Sequence, residues 1–367
     1  MSPAGQSSCF EGRAARLAEK LETAGPEGSE LDAYMVTNLV NVEYLTGFTG
    51  TNGACLVGPG FNIFLTDFRY AERAAGIEGW DAEVISGQWM DGLAGRLGGR
   101  VGFEDDHVTV RTARQLEEKA KGAELVAAGG QVEDLRRVKD AGEIKRISAA
   151  AEMTDVLYGR LIEYGFLGRT EAELDAWLTG WMRKQGAEPS FPPIVASGPN
   201  GASPHAEPGP REIVRGDLVT VDMGVKLDGY CSDCTRTFAI GAESDLGSRA
   251  RELYEVTLRA QLAGLGAIRP GAQGSDVDES SRQVIREAGY GDNFGHGLGH
   301  GVGIEVHEAP RLGPGSNDKL MAGEVVTVEP GIYVPGLTGL RIEDLVMVGP
   351  EGIGRNLSSV SKELTFV

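Results

Sequence analysis

An α/β (α+β) fold in two domains is predicted by three features of this 367-residue chain. Short apolar runs alternate with helical patterns over the first third of the sequence. After that point, a pattern of two helices followed by a strand pair occurs twice, and the stretch joining the two parts has no flexible Ser/Gly tether. We therefore expect a mixed-sheet α/β domain over residues 1–135 and a second α/β domain with pseudo-twofold symmetry over residues 136–367.

The first domain is expected to contain short strands separated by helices. Strand-like apolar runs are bounded by Gly, Pro, Asn and Asp, as is typical of strands that end in turns. The predicted helices cover residues 10–24, 70–75, 88–98 and 111–121, and the predicted strands are LDAYMVT, GACLVG, NIFLTD, AEVI and RVGFE.

The second domain is predicted to repeat one arrangement of elements. Apolar residues at helical spacing predict a helix over 141–165, and Thr170 with Glu173 forms the capping-box pattern that begins the next one. A strand pair follows. In the second half, a helix is predicted at 248–265, Ser275 is predicted to cap a helix that continues to Gly289, and another strand pair ends the domain.

The first strand pair, DLVTVDMGVKLDGYCSDCTRTFAI, contains two aspartates of special interest. Asp228–Gly229 is a strong turn signal between two strand-like runs. If the chain folds midway between Leu227 and Asp228, Asp222 lies directly opposite Asp233.

The second strand pair, EVVTVEPGIYVPGLTGLRIEDLVMVG, places Glu329 opposite Glu343 about a turn centred on Gly336. Like charges that face each other across a strand pair destabilise it, and uncompensated buried carboxylates cost far more. Two such pairs in the most apolar part of the chain therefore predict cations between them.

Three of the five histidines, His296, His300 and His307, fall within the single segment FGHGLGHGVGIEVH. His296 and His300 would share one face of a helix, but five glycines favour an extended strand or loop. His205 lies in a Pro/Gly/Asn-rich loop before the first acidic strand pair. Together with the four carboxylates, this histidine cluster predicts a metal site.

Composition argues against several other classes of function. A charged fraction of 24% and a hydrophobic fraction of 41% are ordinary for a globular protein. A formal net charge of −19 without a basic stripe argues against nucleic acid as a partner. No apolar run approaches the roughly 18 residues of a membrane span. The N-terminus shows no secretion signal, so we expect a cytoplasmic protein.

The Cys231-x-x-Cys234 pair resembles a zinc or redox motif. No second cysteine pair lies nearby, and the motif falls in a strand with Asp233 between the sulfurs. Alternation along the strand would send the two thiols to opposite or skewed faces. We therefore expect buried, reduced thiols.

The ordered set Asp222, Asp233, His300, Glu329 and Glu343 resembles the ligands of the pita-bread metallopeptidases, which include methionine aminopeptidase, aminopeptidase P and prolidase. The strings VDMG, SDCTRTF, GHGLGHGVGIEVHEAPR, VEPGIY and RIED are similar to the aminopeptidase P and prolidase branch. NVEYLTGFTGTNGACLV and FLTDFRYAERA are similar to the creatinase-like N-terminal domain of short bacterial Xaa-Pro peptidases. The resemblance covers nearly the whole chain and argues against methionine aminopeptidase, whose members usually lack such an N-terminal domain.

The resemblance implies hydrolysis of Xaa-Pro bonds, which releases the N-terminal residue of peptides with proline at the second position. It also implies two divalent metal ions. Asp233 and Glu343 would bridge both ions, Asp222 would complete one site, and His300 with Glu329 would complete the other. Oxygen and nitrogen ligands without sulfur suit Mn²⁺, Co²⁺ or Zn²⁺, of which Mn²⁺ is the first expectation. A homodimer is implied as well.

The resemblance also assigns substrate-binding residues. His307 is implied to contact the scissile carbonyl, and His205 and His296 to lie around the substrate and its proline ring. Glu329 is placed to move a proton. Arg341 is implied to orient a carboxylate or a group of the substrate pocket, the alternative being a surface ion pair.

Arg311 bears on substrate length. Prolidase-like relatives have an arginine at this place that can meet the C-terminal carboxylate of a dipeptide. Short aminopeptidases P show a similar run, and an ordinary surface arginine is equally compatible with the pattern.

Three alternative functions follow from parts of the same pattern. An Xaa-Pro dipeptidase restricted to dipeptides would use the same metal site together with Arg311. A creatinase-like amidinohydrolase shares the fold but works without metals, and a catalytically inactive binding protein would have lost the ligands. All five ligand residues are intact here, which argues against the last two.

Overall fold

The computed structural model describes Phe10, residues 12–352 and residues 354–367. The chain divides into two compact units, Met1–Arg136 and Arg137–Val367.

The N-terminal unit is a six-stranded mixed sheet with helices. The strand order is β4-β3-β2-β1-β5-β6; β1 is antiparallel to β2 and parallel to β5, which makes the sheet mixed as expected. Leu56, Leu65 and Val101 from three strands pack with Leu93 and Leu116 from two helices. The elements are α1 (Arg13–Lys20), β1 (Ala33–Val36), α2 (Leu39–Thr46), β2 (Gly53–Gly58), β3 (Phe61–Asp67), α3 (Ala71–Ala74), β4 (Asp81–Ile85), α4 (Trp89–Ala94), β5 (Gly99–Phe103), α5 (Val110–Lys119), β6 (Ala123–Ala127) and α6 (Gln131–Arg137).

Two of these elements, α2 and β6, have no clear pattern in the sequence. Helix α2 buries five of its eight residues, so it shows no polar face that would mark a helical period. Its start is fixed locally, because the Asn38 side chain accepts a hydrogen bond from the Val40 N–H at 3.1 Å. Strand β6 lies at the edge of the sheet and buries only Val126, which leaves little apolar alternation.

The C-terminal unit contains the doubled pattern. Its elements are α7 (Ala141–Tyr164), α8 (Glu171–Lys184), β7 (Glu188–Pro189), β8 (Ile194–Ser197), β9 (Leu218–Met223), β10 (Val225–Leu227), β11 (Tyr230–Cys231), β12 (Cys234–Ala239), α9 (Ser248–Ala267), α10 (Gly274–Glu287), β13 (Gly299–Gly301), β14 (Glu308–Leu312), β15 (Val325–Val328), β16 (Gly331–Val334), β17 (Thr338–Arg341), β18 (Asp344–Met347), β19 (Arg355–Asn356) and β20 (Thr365–Phe366).

In each half of this unit, a helix pair packs against strands. In the first half, Leu157 of α7 and Leu178 of α8 share a buried core with Val219 of β9. In the second half, Tyr254 of α9 and Ile285 of α10 belong to a core with strands that include β15, β17 and β18. The strands form a β20-β12-β9-β8 sheet in one half and a β14-β13-β15-β18-β19 sheet in the other.

The helix starts are set partly by sequence and partly by tertiary contacts. The capping box of α8 forms as predicted, with the Glu173 N–H bonded to the Thr170 hydroxyl at 3.2 Å. The predicted cap at Ser275 is wrong, because Gln273 occupies the N-cap position and Ser275 is the second residue of α10. The Gly274 N–H instead donates to the Asp318 carbonyl at 2.7 Å, so a distant loop satisfies the start of this helix.

The predicted register of the first acidic strand pair is wrong by two residues. Asp222 pairs with Thr235 and not with Asp233. Asp228 and Gly229 both have positive φ, 48° and 82°, and form the two central residues of the turn, which moves its centre one residue further along the chain than expected. Asp233 now lies two positions from the partner of Asp222, so alternation keeps both aspartates on one face.

The predicted register of the second acidic strand pair is confirmed. Tyr333 pairs with Gly339 about the turn at Gly336. The adjoining strands β15 and β18 continue the same register, with Val328 paired to Asp344. Glu329 and Glu343 therefore lie opposite each other in the short gap between the two ladders.

Candidate metal centre

Asp233, His300 and Glu343 form the centre of the site. One ligand atom of each lies within 4.8 Å of the others. His300 Nε2 is 3.7 Å from the nearer Asp233 oxygen and 3.3 Å from Glu329 Oε1. The His-rich segment is not helical, and His300 lies in the middle of strand β13. Both strand pairs and the histidine run therefore meet at one place.

The His300 ring is oriented by the backbone. Its Nδ1 lies 3.0 Å from the Gly301 carbonyl, which turns Nε2 toward the carboxylates. A metal-binding histidine is commonly held in this way, because the hydrogen bond fixes the tautomer that leaves the other nitrogen free. Burial alone would lower the pKa of His300, but the hydrogen bond and negative charge of Glu329 raise it above its usual value.

The carboxylates of this site are buried close to one another, in a negative electrostatic potential. Burial and the charge of Glu343 raise the pKa of Asp233 well above its usual value, and burial with the charges of Glu329 and Asp222 does the same for Glu343. Glu329 differs. Burial would raise its pKa, but its hydrogen bond to His300 and the nearby positive charges lower that pKa to about 2.

Two buried oxygen atoms show that these residues suit a cation. Asp222 Oδ1 and Asp233 Oδ1 have no hydrogen-bond partner among the described residues, although both side chains are buried. Leaving a buried charged acceptor unsatisfied is costly, and a divalent cation is a partner that would satisfy both atoms. The donor set of carboxylates and one imidazole, without sulfur, matches such an ion.

Arg341 is buried behind the carboxylates and is not part of a surface ion pair. Its guanidinium donates to Asp222 Oδ2, to the Thr235 hydroxyl at 3.2 Å and to the Tyr333 hydroxyl at 2.6 Å. Its Nε also lies 3.9 Å from Glu329. A planar guanidinium with several donors can fix two carboxylates and a phenol at once.

Sequence reasoning missed three supporting side chains. The Thr235 hydroxyl donates to Glu343 at 2.6 Å. The Thr327 hydroxyl donates to Glu329 at 3.2 Å and accepts the His300 N–H at 3.1 Å. Both threonines lie two residues from a predicted ligand, so the alternation of the strands could have indicated them. No comparable pattern in the sequence pointed to Tyr333.

His205, His296 and His307 are the other histidines that the sequence predicts for this site. The His307 ring is exposed at the surface, with its centroid 4.4 Å from that of His300. His296 Nε2 lies 3.0 Å from the Tyr333 hydroxyl, and its Nδ1 lies 2.8 Å from the Gly297 carbonyl. His205 is exposed on its loop. Desolvation lowers the pKa of both His296 and His307.

Arg311 lies directly opposite His300 in the pairing of strands β13 and β14. Residues that face each other in this way project from the same side of a sheet. Arg311 is exposed, and the described residues offer its guanidinium no hydrogen bond or ion pair. The side chain is therefore available to a ligand.

The Cys-x-x-Cys pair is buried and free, in agreement with the prediction. The Cys231 thiol donates to the Ile304 carbonyl at 3.4 Å, and the Cys234 thiol donates to the Glu343 carbonyl at 3.5 Å. Burial raises the pKa of Cys231 to about 11 and also raises that of Cys234. Thiols held protonated in this way are poor nucleophiles and poor metal ligands.

Comparison with known protein families agrees with this geometry. Residues 145–350 match the metallopeptidase family M24, and residues 13–138 match the creatinase/prolidase N-terminal domain. The chain belongs to metallopeptidase family M24. The expected pair of a creatinase-like N-terminal domain and a pita-bread catalytic domain is thereby confirmed.

Relatives of this M24 peptidase extend over almost its whole length. An Xaa-Pro dipeptidase of Pyrococcus furiosus is 35% identical over 94% of this chain and 98% of its own. The solved structure of an Xaa-Pro dipeptidase from Bacillus anthracis is 37% identical, with a TM-score of 0.91 over 98% of this chain and 100% of that one. That of an X-Pro aminopeptidase from Thermotoga maritima MSB8 is 30% identical, with a TM-score of 0.87 over 97% and 100% of the two chains.

The M24 assignment identifies the protein as a metallopeptidase. The carboxylate–histidine cluster is the candidate site for its metal. Divalent ions are the cations that a peptidase of this family would bind there. Among the described residues, no helix is both long enough and apolar enough to cross a membrane.

Proposed function

We propose that this protein hydrolyses the peptide bond between an N-terminal residue and proline, using two divalent metal ions. The observation that carries this proposal is the pair of unpartnered buried oxygens, on Asp222 and Asp233, inside a carboxylate–histidine cluster. The names of the relatives, Xaa-Pro dipeptidases and an X-Pro aminopeptidase, support the choice of bond.

Five residues would hold the two ions. Asp233 and Glu343 would be shared, Asp222 would complete one site, and His300 with Glu329 would complete the other. When bound, the ions would supply Lewis-acid activation of a water molecule and of the substrate carbonyl. The ligand set suits Mn²⁺, Co²⁺ and Zn²⁺, and we propose Mn²⁺ as the first ion to test.

The surrounding side chains would bind the substrate and transfer protons. An Xaa-Pro bond has no N–H, so recognition must come from its carbonyl, its ring and its termini. His307, exposed beside His300, would donate to the scissile carbonyl, and His296 and His205 would flank the proline. Glu329 would pass the proton to the departing imino nitrogen.

Arg311 favours dipeptides as substrates. Its unpaired guanidinium lies opposite His300 in the sheet, where the carboxylate of a C-terminal proline would give it a charge-assisted partner. A longer peptide lacks a carboxylate at this distance from the scissile bond. Dipeptidase activity is therefore the version of the function that this residue supports, with aminopeptidase activity on longer peptides as the alternative.

Activity on Ala-Pro and on Ala-Pro-Ala, each with Mn²⁺, Co²⁺ and Zn²⁺, tests the proposal. We expect about two bound ions per chain and cleavage before proline. Arg311→Ala should weaken Ala-Pro hydrolysis by more than about tenfold and spare Ala-Pro-Ala, because only the dipeptide loses an ion pair. Arg355→Ala, another exposed arginine, is the control.

Two other outcomes of these assays would point to a different function. A wild-type preference for Ala-Pro-Ala makes the protein an aminopeptidase and gives Arg311 another role. A chain that binds no metal and cleaves neither peptide would be the inactive binding protein or the metal-free hydrolase.

A further inference from the structure

We infer that the buried carboxylate of Glu171 is a positioning group for the loop that carries His205, and through it for substrate binding. This inference rests on the proposed function, which places His205 beside the substrate. Glu171 does not reach the metal cluster and would act only through the loop.

Glu171 bonds to this loop on both sides of His205. We call residues 197–204 the incoming limb and residues 206–211 the outgoing limb. It is the first residue of α8 and is 0% exposed. Its Oε1 accepts from the Ser197 N–H at 2.7 Å, the Ser197 hydroxyl at 2.6 Å and the Asn200 amide at 3.1 Å. Its Oε2 accepts from the same Asn200 amide at 3.0 Å and from the Gly209 N–H at 3.1 Å. Residues 197 and 200 precede His205, and residue 209 follows it.

The outgoing limb has a second attachment that does not need the carboxylate. The Ala172 N–H donates to the Gly209 carbonyl at 3.0 Å, and the Glu171 N–H donates to the Arg211 carbonyl at 3.2 Å. These bonds use backbone donors that the start of a helix leaves free. The specific effect of the Glu171 side chain therefore falls on the incoming limb, at Ser197 and Asn200.

The segment just before His205 contacts the strand that carries Arg341. Arg341, which donates to Asp222, also donates to the Pro204 carbonyl at 3.4 Å. Gly201 lies so close to Gly339 that a Cβ on Gly201 would come 2.7 Å from the Gly339 carbonyl oxygen. The segment just before His205 is thus held between Glu171 on one side and the strand of Arg341 on the other.

A carboxylate is the group that this arrangement requires. All five hydrogen bonds to Glu171 are donated by the loop, and Glu171 forms no ion pair among the described residues. Glutamine has the same shape but only one acceptor oxygen, and its NH₂ group would face donors on one limb. Glu171→Gln should therefore release one limb without changing the packing volume.

The test compares Glu171→Gln with Glu173→Gln in the metal-loaded enzyme. Both changes remove one negative charge from the first turn of α8, but Glu173 is exposed and bonds only within its capping box. For Ala-Pro hydrolysis we expect Glu171→Gln to raise KM and to lower kcat/KM by about tenfold to a hundredfold, as misplacement of a binding group does. Metal content should stay that of wild type, and Glu173→Gln should be close to wild type.

A double-mutant cycle shows whether Glu171 acts through His205. If it does, adding Glu171→Gln to His205→Ala should lower kcat/KM by less than about twofold further. Fully additive losses would overturn the inference, as would equal effects of the two glutamine variants. If Glu171→Gln does not fold, Asn200→Ala removes two of the five hydrogen bonds and takes its place in the cycle.

Hydrogen exchange separates a failure of this inference from a failure of the proposed function. Glu171→Gln should speed amide exchange in residues 197–209, and Glu173→Gln should not. A wild-type enzyme that cleaves no Xaa-Pro peptide would contradict the proposed function, while exchange would still report on the loop. Unchanged exchange in Glu171→Gln would overturn the positioning role itself.

Discussion

At the scale of single residues, the site is defined by an excess of negative charge. Four carboxylates, those of Asp222, Asp233, Glu329 and Glu343, gather around one guanidinium and one imidazole. Arg341 and His300 neutralise part of this charge, while burial and the charges of Glu343 and Asp222 still raise the pKa of Asp233. Bound divalent ions would supply the remainder.

The two neighbouring histidines should behave differently when truncated. His300→Ala should lose bound metal, because its Nε2 faces the carboxylates. His307→Ala should keep its metal but lower kcat by roughly 100-fold, the loss expected for one donor to a developing oxyanion. Metal content and steady-state kinetics of both variants check this. Metal loss in His307→Ala would make that residue a ligand instead.

At the scale of elements, the site is built where two strand pairs lose their regular ladders. Asp233 lies between β11 and β12, and Glu329 and Glu343 lie between the two ladders of the second pair. The regular pairing on either side fixes the register, so the gaps present these side chains to one space. Helices pack behind the strands and hold them in place.

The helix starts allow a matched test of local stability. Asp140 caps the 24-residue helix α7, with the Glu143 N–H bonded to its carboxylate at 2.8 Å. Asp140→Ala should lower the free energy of unfolding by about 1 kcal/mol, the usual value of an N-cap. Ser275→Ala is the control and should change it by less than about 0.5 kcal/mol, because Ser275 is not a cap. Denaturant unfolding measures both, and an equal loss would restore Ser275 as a cap.

At the scale of the whole molecule, metal binding and stability should be coupled. The proposed ligand residues come from both halves of the C-terminal unit, so an ion that binds them would stabilise the folded arrangement over the unfolded chain. Each site should add about 2.7 kcal/mol when free metal is one hundred times Kd.

Thermal melting with and without a chelator should reveal this coupling. Wild type should melt at a lower temperature after chelation, whereas Asp233→Asn should show little change because it lacks a ligand shared by both ions. Without metal, Asp233→Asn should melt at or above wild type, because one buried like charge is gone. The same chelator effect in both proteins would show that Asp233 does not bind the metal.

Features that depend only on neighbouring residues could be predicted from the sequence. The turn at Gly336 set the register of the second strand pair, and thereby the facing positions of Glu329 and Glu343. Capping patterns marked the start of α8, and five glycines kept the histidine run extended. Turn geometry, helix capping and backbone freedom all act within a few residues, so they leave a readable pattern.

Features that join distant parts of the chain became visible once the chain was folded. Arg341 and Asp222 are 119 positions apart, and Glu171 reaches across 38 positions to Gly209. The start of α10 likewise depends on a carbonyl at Asp318. Such contacts arise from how the halves and loops pack, and no local propensity encodes them. The proposed ligands could therefore be identified from the sequence, whereas the contacts that join Arg341 to Asp222 and Glu171 to its loop could not.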